Sequence, residues 1–204
     1  MIIHLFRHGQ VDGPAALYGK TDVELSSQGA KALEFATAKL DAPDAIISSP
    51  LRRCQQFAQS KAEALSCPLI IEPGIREMDF GLWDGQPYRE DSPQWPSMRE
   101  FWQQPADVTP PEGESLEAMN TRVTQAWQRI ITTQHERLWV IAHGGTIRLI
   151  IAHVLGLQWQ NPQLYSSLAI GYASRTDICC DNWQGQQVDR VLAIAIPTPS
   201  QTPH

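Results

Sequence analysis

The sequence predicts an α/β protein: a three-layer α/β/α sandwich with a mostly parallel central sheet and a helical lid insertion. Three observations carry this reading. Short apolar runs at residues 2–6, 45–47, 69–71 and 138–142 alternate with stretches of helical spacing, the pattern of strands joined by crossover helices. Two of those runs end on a histidine followed by glycine, His8-Gly9 and His143-Gly144, at the edge where a parallel sheet opens toward ligands. Residues 84–113 break the alternation with Pro87, Pro93, Pro96, Pro105, Pro110 and Pro111, and set Trp95, Phe101 and Trp102 among them. A linker would not be so aromatic, so this stretch reads as a lid carrying short helices.

The elements follow in order. The run at 2–6 is a buried strand, and Arg7-His8 must sit at its C-terminal end because a charged pair cannot continue into a core. A glycine-bearing loop leads to a helix over 28–40, with Leu33, Ala36 and Leu40 on one face and Ser26 or Ser27 as its cap. The strand at 45–47 is followed by Ser49-Pro50, a serine cap with proline at the first helical position, and a helix over 50–65. The strand at 69–71 closes on Pro73-Gly74. Beyond the lid, a helix over 114–134 places Met119, Val123, Trp127, Ile130 and Ile131 on one face. The strand ending at His143 comes next, then a helix over 146–155 with Gly156 just past its end. Two late strands, 168–180 and 188–196, complete the sheet through a turn at 181–185, and a polar tail at 197–204 frays.

With 204 residues, 42% of them hydrophobic, the chain is read as one domain spanning 1–204, with the lid at about 84–113. A formal net charge of −6 argues against general nucleic-acid affinity, while a local basic pocket can still take an anion. No apolar run is long enough to span a bilayer, and the N-terminus reads as lacking a signal peptide. Cys54, Cys67, Cys179 and Cys180 have no metal-ligand spacing and read as reduced thiols of a cytoplasmic protein. Asp12 and Asp22 lack clustered partners, so no metal and no cofactor are expected. Nothing in the sequence sets an oligomeric state.

Four strand-following places can converge at the sheet edge: Arg7-His8, the 49–53 turn, Glu77 and His143. Guanidinium groups match phosphate oxygens with a planar fork and stay charged. Two of them disfavour a third cation nearby, so an imidazole between them stays neutral and is competent to attack phosphorus. A carboxyl group on the leaving-group side can supply a proton, and Glu77 is the candidate. His4 reads as packed in the sheet, and His135, His153 and His204 as structural or solvated. Arg148 reads as capping or salt-bridging near its own helix, and the lid aromatics as packing more than substrate contact.

These residues resemble the histidine phosphatase superfamily, the phosphoglycerate-mutase-like fold. Arg7-His8-Gly9 is similar to its signature, which implies His8 as the histidine that becomes phosphorylated. Ser49-Pro50-Leu51-Arg52-Arg53-Cys54 is similar to its Ser-x-Leu-x-Arg-Ala turn, which implies Arg53 as the pocket arginine and Arg52 at the variable position. Glu77-Met78-Asp79-Phe80-Gly81-Leu82-Trp83-Asp84-Gly85 resembles the stretch bearing the proton donor, which implies that role for Glu77. Gly113-Glu114-Ser115 resembles the turn that opens the next helix, and residues 140–148 resemble the second histidine motif. The resemblance implies catalytic roles for His8, Glu77, His143, Arg7 and Arg53, and substrate contacts from Arg7, Arg53, His143, Gly144 and Thr21.

The chain also departs from the family pattern. Gln10-Val11 replaces the usual Glu-Thr, and Pro14 stands where an asparagine commonly helps hold phosphate. The stretch between the acid and Gly113 is shorter than in the mutases, which favours water entry and hence a phosphatase. The run at 17–23 and the overall length look most like the alpha-ribazole-5'-phosphate phosphatases of cobalamin assembly. The expectation is therefore a metal-independent phosphomonoesterase acting on a small phosphorylated metabolite, with no nucleic-acid or membrane partner. The rivals are a mutase or sugar-phosphate phosphatase on the same machinery, and a non-catalytic phosphate-recognition protein.

Overall fold

The computed structural model describes residues 1–87, 89–184 and 186–198; six residues of the expected frayed tail, 199–204, and Gly185 of the late turn lie outside that set. Six strands form one sheet in the order β3-β2-β4-β1-β5-β6: β1 Ile2–Arg7, β2 Ala45–Ser48, β3 Leu69–Ile71, β4 Arg137–Ala142, β5 Arg175–Trp183 and β6 Gln186–Ile196. The first four run parallel, with Arg7 opposite Ala142 in the β1–β4 register. The last two are antiparallel and extend the sheet on the β1 side.

Side-chain alternation builds the three layers. Ile3 and Leu5 of β1, with Leu138 and Val140 of β4, face one core together with helices α4 (Leu116–Ile131) and α5 (Gly144–Leu155). Phe6, Trp139 and Ile141 face the other with Leu33 of α1 (Ser27–Thr37) and Phe57 of α2 (Arg52–Leu65). Covering both faces is what allows parallel strands to read as near-continuous apolar runs. His4 is packed in the sheet as expected and pairs with Asp177 at 2.6 Å.

Several boundaries differ from expectation, each for a physical reason. Ser26 caps α1 by accepting from the Gly29 amide at 3.0 Å, but the helix stops at Thr37, whose hydroxyl bonds back to Leu33 and Glu34 carbonyls. Ser49 does not cap α2: the helix begins at Arg52 behind Leu51, and the Ser49 hydroxyl is taken by a histidine. Ser115 caps α4 through the Ala118 amide at 3.1 Å, and that helix ends at Ile131, not 134. Helix α5 starts at Gly144, two residues earlier than expected, directly on the end of β4. Within 84–113, Trp95–Gln103 forms α3, and Phe101 packs edge-on to Phe80, Trp83 and Trp102 with ring centroids 5.0–6.2 Å apart.

The largest difference lies at 168–174, which the apolar alternation places inside a strand. A short helix, α6 (Gln163–Ser166), precedes it, and β5 begins only at Arg175. Between them Ala173 is left-handed at φ 53°, and the Ser174 amide turns back to the Gly171 carbonyl at 3.2 Å. A left-handed alanine costs roughly 1–2 kcal/mol, so something must hold it. The Ala173 amide donates to the His8 carbonyl and the Ser174 carbonyl accepts from the Arg7 amide, both at 3.1 Å. The bend is thus stitched to the end of β1.

Candidate active site

Parallel pairing of β1 with β4 carries His8 and His143 out of the sheet side by side. Their ring centroids are 5.2 Å apart. Gly9 is required beneath them because a Cβ there would collide with the Gly29 backbone of α1. The two imidazoles are held differently. His8 donates from Nδ1 to the Gly9 carbonyl at 2.7 Å, which leaves Nε2 as the unprotonated nitrogen. His143 accepts from Arg53 Nε at its Nδ1 (3.3 Å), so its proton sits on Nε2 and is donated to Ser49 Oγ at 2.7 Å. Burial, then the charges of Arg7 and Arg53, hold His8 well below the ordinary histidine range. Burial, then Arg53, His8, Arg7 and Arg122, do the same to His143. Both rings are neutral at neutral pH.

A cavity of about 330 Å³ opens over His8. Arg7, His8, Glu77, Gly144 and Arg148 form its polar side, and Leu17, Phe80, Phe101, Trp102 and Met119 its apolar side. Arg53, His143 and Thr21 stand behind this lining. The Arg53 side chain is fully buried, and its guanidinium donates to the Thr21, Tyr18 and Gly19 carbonyls at 2.8–3.0 Å. Thr21 therefore reaches the site through its backbone, and its own amide is held by Asp84 at 2.9 Å. Pro14 precedes the lining stretch 15–18, and its carbonyl accepts from the Tyr18 hydroxyl at 2.8 Å.

Glu77 is half-buried, and its carboxylate meets the start of α5. Its Oε2 accepts from the Gly145 amide and its Oε1 from the Met78 amide, both at 3.1 Å. A Cβ at Gly145 would lie 2.4 Å from Glu77 Oε1, so a side chain there would displace the Glu77 carboxylate. A residue that the sequence reading missed holds this loop: Arg122 of α4 donates to the Gly74, Arg76 and Glu77 carbonyls and pairs bidentately with Glu114 at 2.6 Å. Arg148 is also displaced from its expected role. It does not cap its helix; Nε donates to the Leu168 carbonyl at 2.9 Å, and the side chain lines the cavity. The signal was present, because Arg148 lies four residues after Gly144 and so shares its helix face. Tyr165 and Tyr172, also in the lining, carried no such signal.

A neutral imidazole with one open nitrogen, guanidinium groups and a carboxyl group share one cavity lining, a set that can bind a dianionic ester. The chain belongs to the histidine phosphatase superfamily (branch 1), whose family model matches residues 3–191. It is 29% identical over 155 residues to a bifunctional protein of Mycobacterium tuberculosis, covering 74% of this chain but 40% of that one. The chain thus spans well under half of that relative. It is also 29% identical over 171 residues to the glucosyl-3-phosphoglycerate phosphatase of Mycolicibacterium vanbaalenii, covering 77% and 75% of the two chains. Among solved structures, a mycobacterial glucosyl-3-phosphoglycerate phosphatase superposes with a TM-score of 0.82 at 25% identity, covering 96% and 98%. The alpha-ribazole phosphatase of Shigella flexneri has the same fold, with a TM-score of 0.78 at 23% identity, covering 97% and 98%.

Proposed function

We propose that this protein is a metal-independent phosphomonoesterase that works through a phosphohistidine on His8. The observation that carries this is the tautomer of His8: with Nδ1–H given to the Gly9 carbonyl, Nε2 keeps its lone pair beside a cavity lined by Arg7 and Glu77. In the first step Nε2 bonds to phosphorus, the ester P–O bond breaks, and protonated Glu77 gives its proton to the leaving oxygen. In the second, Glu77 takes a proton from water as its oxygen bonds to phosphorus and the N–P bond breaks. Arg7 faces the phosphoryl oxygens. Arg53 supplies charge from behind the cavity lining, His143 joins Arg53 to Ser49 through its two nitrogens, and Thr21 and Gly144 shape the loop and helix end around the cavity. The test is turnover of p-nitrophenyl phosphate in EDTA by the wild type and by His8→Ala, with acid-labile phosphate trapped by rapid quench. Full activity in the variant, or turnover without a trapped phosphoenzyme, rejects the mechanism.

For the substrate we propose alpha-ribazole 5'-phosphate, in a cytoplasmic setting that suits four free cysteines. What supports it is the aromatic part of the cavity lining, where Phe80, Phe101 and Trp102 offer rings on which a flat base can stack. A panel of alpha-ribazole 5'-phosphate, 3-phosphoglycerate and sugar phosphates decides. Preference for 3-phosphoglycerate with a bisphosphate primer would place the protein among the mutases instead.

A further inference from the structure

The bend at 168–174 delivers a side chain for which the mechanism above has no use. Tyr172 projects from it into the cavity lining. The Arg7 guanidinium carbon lies over its ring, 3.9 Å from the ring centroid. The same ring stands 5.5 Å from the His8 ring, centroid to centroid. The neighbouring Ile170 carbonyl accepts from Arg7 Nη1 at 2.6 Å. The segment thus grips one guanidinium in two ways: a carbonyl accepts from one edge and an aromatic face packs against the group. The left-handed Ala173 makes this possible, because an extended strand through 172–173 would not turn the ring back over β1.

We propose that Tyr172 is the positioning residue for Arg7, acting through its ring and not its hydroxyl. This rests on the reading of Arg7 as the guanidinium that meets the phosphoryl oxygens. An arginine on a flexible stem has many orientations, and a bidentate contact requires one. The stack removes the others before the ligand arrives, an effect that appears in the rate because misplacement of a charge-stabilising group weakens the transition state most.

The experiment compares Tyr172→Phe and Tyr172→Leu, each in the wild-type and Arg7→Lys backgrounds. The readouts are p-nitrophenyl phosphate turnover and inorganic phosphate binding by calorimetry. Tyr172→Leu is expected to lower kcat about 10- to 100-fold and to weaken phosphate about tenfold. Tyr172→Phe keeps the stack and stays within about threefold of wild type. Once Lys replaces Arg7 there is no planar fork to orient, so Tyr172→Leu then costs less than about twofold more. Melting curves for each variant separate these effects from loss of the fold. Additive losses in the Arg7→Lys background overturn the proposal, as does a Tyr172→Phe variant as poor as Tyr172→Leu. Wild-type levels of both readouts in Tyr172→Leu do the same. A wild-type protein that turns over no ester rejects His8 as nucleophile, while the phosphate-binding cycle still decides the role of Tyr172.

Discussion

His8 and His143 end neighbouring parallel strands, each precedes glycine, and each is buried and neutral, yet the protein treats their nitrogens differently. His8 has one nitrogen committed, to the carbonyl of the next residue, and lines the cavity. His143 has both committed, to Arg53 and to Ser49, and has no exposed surface. The same His-Gly step thus yields a ring with one open nitrogen and a ring locked as part of the wall. The difference comes from what the β2–α2 turn and the first turn of α2 bring to the sheet edge: Ser49, Arg53 and Cys54 all pack around His143. On the proposed mechanism the nucleophile is set apart by its uncommitted nitrogen, since depressed basicity is common to both.

The widest separation between the rings is expected from their removal. His8→Ala loses the atom that bonds to phosphorus, and turnover should fall on the order of 10⁴-fold or more. His143→Asn keeps His8 and loses the ring that joins Arg53 to Ser49, so a loss of about 10²-fold is expected, with a phosphoenzyme still trapped in a rapid quench. Equal losses, with no intermediate in either variant, would erase the distinction.

The shared property has its own test. Both folded-state values lie below the ordinary 6.5, so below that pH the unfolded chain binds protons that the folded one refuses. Stability is full above about pH 6.5 and falls as pH drops toward the depressed folded values, by up to about 1.4 kcal/mol per pH unit for each ring. Urea midpoints measured from pH 7.5 to 5.0 should show this slope, and His143→Asn should lose about half of it. Glu72 and Asp177 also titrate anomalously, but their depressed carboxylates act in a more acidic window.

Much of this site was legible before any coordinates. The apolar runs ending on His-Gly placed both rings at one sheet edge, because parallel strands must present their C-terminal ends together. The commitment of their nitrogens was not legible. It depends on Arg53 folding back onto the Tyr18, Gly19 and Thr21 carbonyls, contacts that leave no trace in residue type or spacing. Arg122 was hidden for the same reason: on its helix it reads as a solvated cation, and only the fold shows it holding three carbonyls of the Glu77 loop. The strand expected over 168–174 failed because alternation cannot register one left-handed alanine. That single φ converts a strand residue into the ring that stacks on Arg7.

The smallest expected effect concerns the side chain that most invites a chemical role. Cys54 stands where the family turn carries alanine, and its sulfur is 3.5 Å from His143 Nε2. A thiolate there would compete for the histidine proton and add a second nucleophile to the site. Burial pushes the thiol up to about 12, so it stays protonated, and its nearest acceptor is the Ala142 carbonyl at 3.5 Å. The His143 proton already belongs to Ser49. Cys54→Ala therefore leaves both imidazoles committed as before and removes only packing, with a stability cost of roughly 1–2 kcal/mol and turnover within about threefold of wild type. Ser49→Ala, which frees the His143 proton, should cost more in turnover, about five- to tenfold. If the order were reversed, with Cys54→Ala the more damaging, then the sulfur and not the serine would be fixing His143, and its locked state would need a different cause.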